Sequence, residues 1–473
     1  MNPTCNILET RVACTRRAVW IAAALLMAVG SLHALEGEGK LTTPERLAKF
    51  NAANPHVRLE LMGKLVQPED PKDFERYKIP DFLIKTLKDT DEDPRVRDAA
   101  LQGMVLAITK YDISYRSQFI PAFLDVLSEK QVGLVQEYVL IASPSAVDPD
   151  GPGPNKLLLN KIAAISDDGK MTGDNEVRLR VQSIIALGQI GNKDYLDKFF
   201  KLMGDSNKEI VTASIKAVDR FLRTAGASHL ELTVNQLATL TTLLKAKETP
   251  VESKSAILRT LGVNARNFRR SHPQNQLAPG VNEVMAEVKT ILNPPQGTEL
   301  PPFFVVGDCI ETLGMYGHKD AVDLIKLIFH WDYLKVAEGQ TYRVQAVDVV
   351  DQVIAANIGD GKAFNQTVED TAGVLMSLLG DEKEDSGVRK AAAFYLADVR
   401  FKCYKRDLYF NELFIHAYTA PDAKTVTLDE GLAVTCKKSM EVIAGRTFPP
   451  DYVYADFVAW WLKVGKTELA QQK

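Results

Sequence analysis

The sequence predicts an all-α solenoid of stacked helix pairs. Three features carry that expectation: a segment that recurs at a fixed offset, a helix-opening motif that appears three times, and apolar residues at helical spacing with no strand-like alternation. The composition agrees with a folded chain: 46% of the 473 residues are hydrophobic and 25% charged, which excludes a disordered polyampholyte and a multi-span membrane protein. A formal charge of -4 lacks the positive excess of a nucleic-acid binder.

From the N-terminus, Arg11, Arg16 and Arg17 precede an apolar run from Ala18 to Val29 and the small residues Gly30, Ser31 and Ala34. This is the pattern of a secretory signal peptide over residues 1–34, with cleavage expected after Ala34. The run is shorter than the roughly 20 residues of a membrane-spanning helix. Cleavage leaves 54 basic against 60 acidic residues and an exported chain, periplasmic or secreted, with no membrane span. Only Cys309, Cys403 and Cys436 then remain, too few for a disulfide framework. Buried thiols are the expectation, with a Cys403–Cys436 bridge as the alternative.

Residues 35–74 read as a lead-in. From there a unit of helix, polar turn and second helix repeats, as in Phe82–Leu87 ahead of Asp93, Tyr195–Met203 ahead of Ile210, and Val374–Leu379 ahead of Val388. The turn carries Asp-x-x-Val-Arg at Asp93–Arg97, Asp174–Arg178 and Asp385–Arg389, where an aspartate meets the free N–H groups and positive dipole end of the next helix. Val177, Val181, Ile184, Ile185 and Gly188 then share one face, as do Val211, Ile215, Val218 and Leu222. Leu187–Asp197 (LGQIGNKDYLD) returns 126 residues later as Leu313–Asp323 (LGMYGHKDAVD), with Leu, Gly, Gly, Lys, Asp and Asp in register. That offset equals about three units of roughly 40 residues.

Two inserts interrupt the rhythm: the proline-rich stretch 143–155, and 264–281 with Pro273 and Pro279, both expected as loops. After 421 the pattern changes to a C-terminal cap, where Phe448-Pro449-Pro450-Asp451 opens a helix with Val453, Phe457, Trp460, Trp461 and Val464 on one face.

A first helix, a turn bearing Asp, then Val-Arg and an Ala-rich second helix ending in Leu-Gly-x-x-Gly resembles the HEAT-repeat family, as found in bacterial exported proteins. The resemblance covers residues 75–420. It implies a right-handed superhelix of roughly eight armadillo-like helix pairs closed by the capping helix, and it makes Arg97, Arg178 and Arg389 scaffold positions that pair with aspartates and carbonyls of neighbouring units. The family's di-iron hydroxylases carry His-Glu pairs, which this sequence lacks.

Catalytic and ligand-binding motifs are missing as well. The six histidines that follow residue 34 are scattered, with no His-x-x-x-His, Glu-x-x-His or Cys-x-x-Cys, so no metal site is expected. No Gly-x-Ser-x-Gly elbow and no phosphate-cradling glycine loop occur, so neither a catalytic residue nor a cofactor is expected. Asp148, Asp150 and Asn155, and Asp167, Asp168, Asp174 and Asn175, read as solvated turn residues because they fit no EF-hand. Arg266, Arg269 and Arg270, gathered beside Phe268, are less explained by the scaffold and are the candidate partner-binding residues. The functional expectation is an exported, non-catalytic scaffold or adaptor that binds a protein or peptide, and no nucleic acid, on the solenoid surface. The competing readings are a structural component of the cell envelope and a HEAT-like lyase or enzyme subunit.

Overall fold

The computed structural model describes residues 41–68, 70–112, 114–130, 133–223, 230–272, 277–357, 366–398, 406–418, 429–449 and 451–467. The expected signal peptide and Cys403 lie outside them. Among the described residues every regular element is helical, and the chain is an all-α solenoid of HEAT-like helix pairs.

The chain divides into two compact units, one ending at Ile190 and one starting at Gly191. In the first unit the pairs are α1 (Thr43–Ala52) with α2 (Pro55–Val66), α3 (Ile79–Lys88) with α4 (Pro94–Leu106), α5 (Tyr115–Leu127) with α6 (Leu134–Ala146), and α7 (Pro154–Asp167) with α8 (Asp174–Ile190). The second helices form one layer, α2 on α4, α4 on α6 and α6 on α8, and α3, α5 and α7 form the other. Residues 43–66, within the expected lead-in, thus already form a pair stacked on the next.

In the second unit the pairs are α9 (Leu196–Leu202) with α10 (Lys208–Leu222), α11 (Val234–Lys245) with α12 (Val251–Ser271), α13 (Val281–Leu292) with α14 (Phe303–Tyr316), α15 (Ala321–His330) with α16 (Ala337–Asn357), α17 (Gln366–Gly380) with α18 (Ser386–Leu396), and α19 (Arg406–Ala417) with α20 (Glu430–Ala444). Even-numbered helices pack in chain order from α10 to α20, most extensively α12 on α14 and α14 on α16. A last short helix, α21 (Tyr454–Trp460), runs on into one π turn.

The motifs explain the boundaries. Asp93 caps α4 by accepting from the Arg95 N–H, and Asp385 caps α18 by accepting from Gly387 and Val388. Asp174 is instead the first helical residue of α8, and Glu176 takes the Thr172 and Gly173 N–H groups. Both copies of Leu-Gly-x-x-Gly end a helix on a left-handed glycine, Gly191 at φ 77° and Gly317 at φ 59°. Gly314 is a close approach, since a Cβ there meets the Gln352 and Val349 side chains of α16.

Both inserts are shorter than expected. Helix α12 continues to Ser271, because nothing before Pro273 breaks its periodicity, so the connection begins only at His272. Helix α6 continues through Pro144 to Ala146 although the proline leaves the Leu140 carbonyl without its i+4 donor; Pro154 then opens α7 with its fixed φ. In the cap, Phe457 is buried and Trp460 and Trp461 are half-buried, but Val453 is exposed because it is the N-cap residue rather than part of the apolar face. The Val464 side chain lies outside the described set. Phe410 of α19 stacks on Trp461 at 4.9 Å between ring centres, and Phe448 lies 4.7 Å from Phe457.

Candidate partner-binding face

The polar residues of the even-numbered helices fall into two sets, one that meets the carbonyl ends of the first helices and one that links α10, α12 and α14 to one another. The first set starts from a backbone problem: the last carbonyls of each first helix have no intrahelical partner. An arginine of the second helix supplies one. Arg58 Nε donates to the Phe50 carbonyl at 3.2 Å, Arg97 Nε to Leu87 at 2.7 Å, Arg343 Nη2 to Phe329 at 3.2 Å and Arg389 Nε to Leu379 at 3.0 Å. The same guanidinium groups then reach the following pair: Arg58 bonds Glu92, Arg97 bonds Glu129 and Arg343 bonds Glu384. In α6 the role passes to the buried Gln136, which donates to the Val126 and Glu129 carbonyls.

Two of the three expected scaffold arginines, Arg97 and Arg389, therefore hold rungs of this ladder, and Arg178 does not. Arg178 is mostly exposed and pairs with Glu137 at 2.9 Å, while Arg180, two residues on, is buried and donates to the Ser166 carbonyl. Asp174 sits one step inside the helix rather than at its cap, so the motif register is displaced from that of the other two.

The second set lies on α10, α12 and α14. Asp219 is buried, and its Oδ2 accepts from Arg223 at 2.8 Å and from Arg259 of α12 at 3.0 Å. Arg259 Nη1 continues to Asp308 of α14 at 2.7 Å, which also accepts from Ser255. One guanidinium thus bridges two carboxylates on two flanking helices. Burial works against the Arg259 charge, but the two carboxylates outweigh it and raise its pKa. Burial also raises Asp308, against the pull of Arg259. Glu311, one turn on from Asp308, is half-buried and raised by burial and by Asp308, with Arg223, Arg259 and Arg266 opposing.

The predicted arginine cluster separates on this frame. All three lie in the last turns of α12 rather than in a loop, because that helix extends past its expected end. Arg269 is structural: its Nη1 donates to the Met315 carbonyl at 3.0 Å, packing over Gly317 where α14 ends. Arg266 lies near enough to Glu311 to act on its charge, and Arg270 is exposed. Sequence reading missed Asp219, Arg259, Asp308 and Glu311. The signal was available as charged residues inside otherwise apolar second helices, but their pairing was not, since the partners stand 40 and 49 residues apart.

Cys309 and Cys436 are free, buried thiols, with burial raising the first well above the ordinary thiol range and the second to about 12. Among the described residues no group of three His, Cys, Asp or Glu side chains is arranged to hold a metal ion, and no helix is long and apolar enough to cross a membrane.

No protein-family model matches the sequence, and no curated protein matches it. Solved structures of Kap121p are similar in fold. A triple-mutant form aligns at 13% identity and TM-score 0.52, and a sevenfold mutant at 14% and 0.51, each covering 85% of this chain and 44% of that one. Kap121p bound to Nup53p aligns at 13% identity and TM-score 0.50 with the same coverage. The chain therefore spans less than half the length of these relatives, and at this identity the likeness is one of fold.

Proposed function

We propose that this chain is an exported, non-catalytic scaffold that binds a protein or peptide partner on the face formed by α10, α12 and α14. The observation that carries this reading is the Asp219–Arg259–Asp308 row with Glu311 beside it. Drawing ionised groups out of water carries a desolvation penalty that only close pairing repays, and titratable groups perturbed in this way collect at functional sites. The row ties α10, α12 and α14 together as the rungs tie other pairs, and Glu311 beside it is a half-buried carboxylate outside those bonds. A structure of similar fold, Kap121p, has been solved with Nup53p bound, which supports a binding use of this architecture. Export rests on the basic and apolar leader of residues 1–34.

The test is to tag the C-terminus, cross-link intact cells and identify by mass spectrometry what is recovered with the protein and from which fraction. The expected result is one partner in near-equal amount from an exported fraction, reduced at least tenfold by Glu311→Arg while an Arg178→Glu control retains it. Recovery of the protein alone at every cross-linker dose, or a partner indifferent to Glu311→Arg, overturns the reading.

A further inference from the structure

The arginine ladder changes chemistry at its last described rung. Arg58, Arg97 and Arg343 each end on a glutamate. Arg389 of α18 ends instead on a histidine of α19: its Nη2 lies 3.2 Å from His416 Nδ1. A guanidinium has donors only, so Nδ1 must carry the lone pair and the ring proton must sit on Nε2. That assignment is satisfied on the other side, where Nε2 faces Glu412 Oε1 at 3.3 Å. The chain of donors runs Arg389 to His416 to Glu412, and it exists only while the imidazole is neutral.

The surroundings favour that neutral state. Burial lowers the His416 pKa from the ordinary 6.5 and Arg389 lowers it further, against Glu412 on its own helix and Glu382 from the turn after α17. Helix α20 contributes the buried Cys436, a neutral thiol at this pH. From α17, Gly380 lies against Glu412 and brings no charge of its own. Toward the cap, Phe410 and Phe414 of α19 meet the rings of Trp461 and Tyr454. Once protonated, His416 presents an N–H to a guanidinium, so the bond is lost and two cations face each other at hydrogen-bond distance.

We propose that the Arg389–His416–Glu412 rung is an acid-labile latch, which ties α19 to α18 while the imidazole is neutral and releases it when the imidazole takes a proton. The unfolded chain binds this proton at a higher pH than the folded one, so stability is full above about 6.5 and is lost as pH falls toward the lower folded value. The rungs at Arg58, Arg97 and Arg343 contain no histidine.

The experiment is amide hydrogen exchange on the full chain between pH 7.5 and 5.5, corrected for intrinsic rates. In the wild type, protection across α19 and α20 is expected to fall on acidification, about tenfold for each unit by which the folded value lies below the unfolded one, while α3 and α4 hold. His416→Gln supplies an acceptor and a donor that do not titrate, and should flatten the response. An unchanged fall in His416→Gln, no fall in the wild type, or an equal fall in α3 and α4 overturns the latch. Should His416→Gln not fold, Glu412→Gln removes a carboxylate that favours the protonated ring, so the folded value drops further and the fall in protection should run to lower pH and greater depth from the same onset; a fall no deeper than that of the wild type also overturns it.

Discussion

Removing Arg343 tests whether the ladder holds the stack together. Its side chain is 3% exposed and that of Glu384 is 5% exposed, so both charges of this rung are almost wholly out of water. The guanidinium also donates to the Phe329 carbonyl and to Gln340, and Glu384 accepts from the Asp385 N–H. In Arg343→Met the apolar stem survives, but Glu384 is left as a buried carboxylate with a single backbone donor, and the Phe329 carbonyl loses its partner. Breaking a buried pair from one side costs about 3–5 kcal/mol. With a urea dependence of about 1–3 kcal/mol per molar, the midpoint for the second unit should fall by roughly 1–5 M.

The assay is urea unfolding of the full chain with hydrogen exchange on α16 and α18 to assign the loss to that unit. Arg343→Met/Glu384→Leu, which removes both charges, should recover most of the loss, because the penalty arises from the stranded charge. Arg178→Met, at an arginine that is 54% exposed and outside the ladder, should cost under about 1 kcal/mol. An Arg343→Met protein within about 1 kcal/mol of wild type, or a double variant no better than the single, refutes the claim that buried rungs carry the stacking.

Three further outcomes follow from single positions. Gly317→Ala puts a side chain at φ 59° and against Arg269 and Ala356, and should lower stability by roughly 1–3 kcal/mol, read by thermal unfolding. Lys78, the one non-glycine residue at positive φ among those described, has φ 52° at the start of α3; Lys78→Gly should raise stability by roughly 0.5–1 kcal/mol in the same assay. Glu311 has a raised pKa, so its ionised form opposes folding above that value and the penalty disappears as pH falls below the unfolded one; Glu311→Gln should therefore raise the urea midpoint at pH 7 and match wild type near pH 4. An equal gain at both pH values contradicts the electrostatic account.

The helix pairs were legible because each is a local pattern. The Asp93 and Asp385 caps, the two left-handed glycines and the apolar spacing of α8 and α10 are all set within a few residues. The site was less legible for the opposite reason. Arg178 matches its motif, yet a displacement of two residues hands the buried place to Arg180, and only the packed structure shows which face of α8 meets Ser166. Arg266, Arg269 and Arg270 looked like one group because they are adjacent, whereas on a helix they point to different neighbours: a carbonyl of α14, the surroundings of Glu311, and water.

The recurrence of arginine rather than lysine at the rungs follows from the number of bonds each must make. A rung has two acceptors in two directions, a carbonyl of its own pair and a carboxylate of the next. At Arg97 the Nε serves Leu87 and the Nη2 serves Glu129, bonds that a planar fork of five donors reaches together. An ammonium is a compact point at the end of a shorter chain and cannot span both. Arg97→Lys therefore keeps the charge and loses one charge-assisted bond, for about 1.5–3 kcal/mol. Because each pair touches only its neighbours, the loss of hydrogen-exchange protection should be confined to α3 through α6, with the second unit unchanged. A loss below about 0.5 kcal/mol in Arg97→Lys, beside a large one in Arg97→Met, means that charge alone holds the rung and its geometry does not.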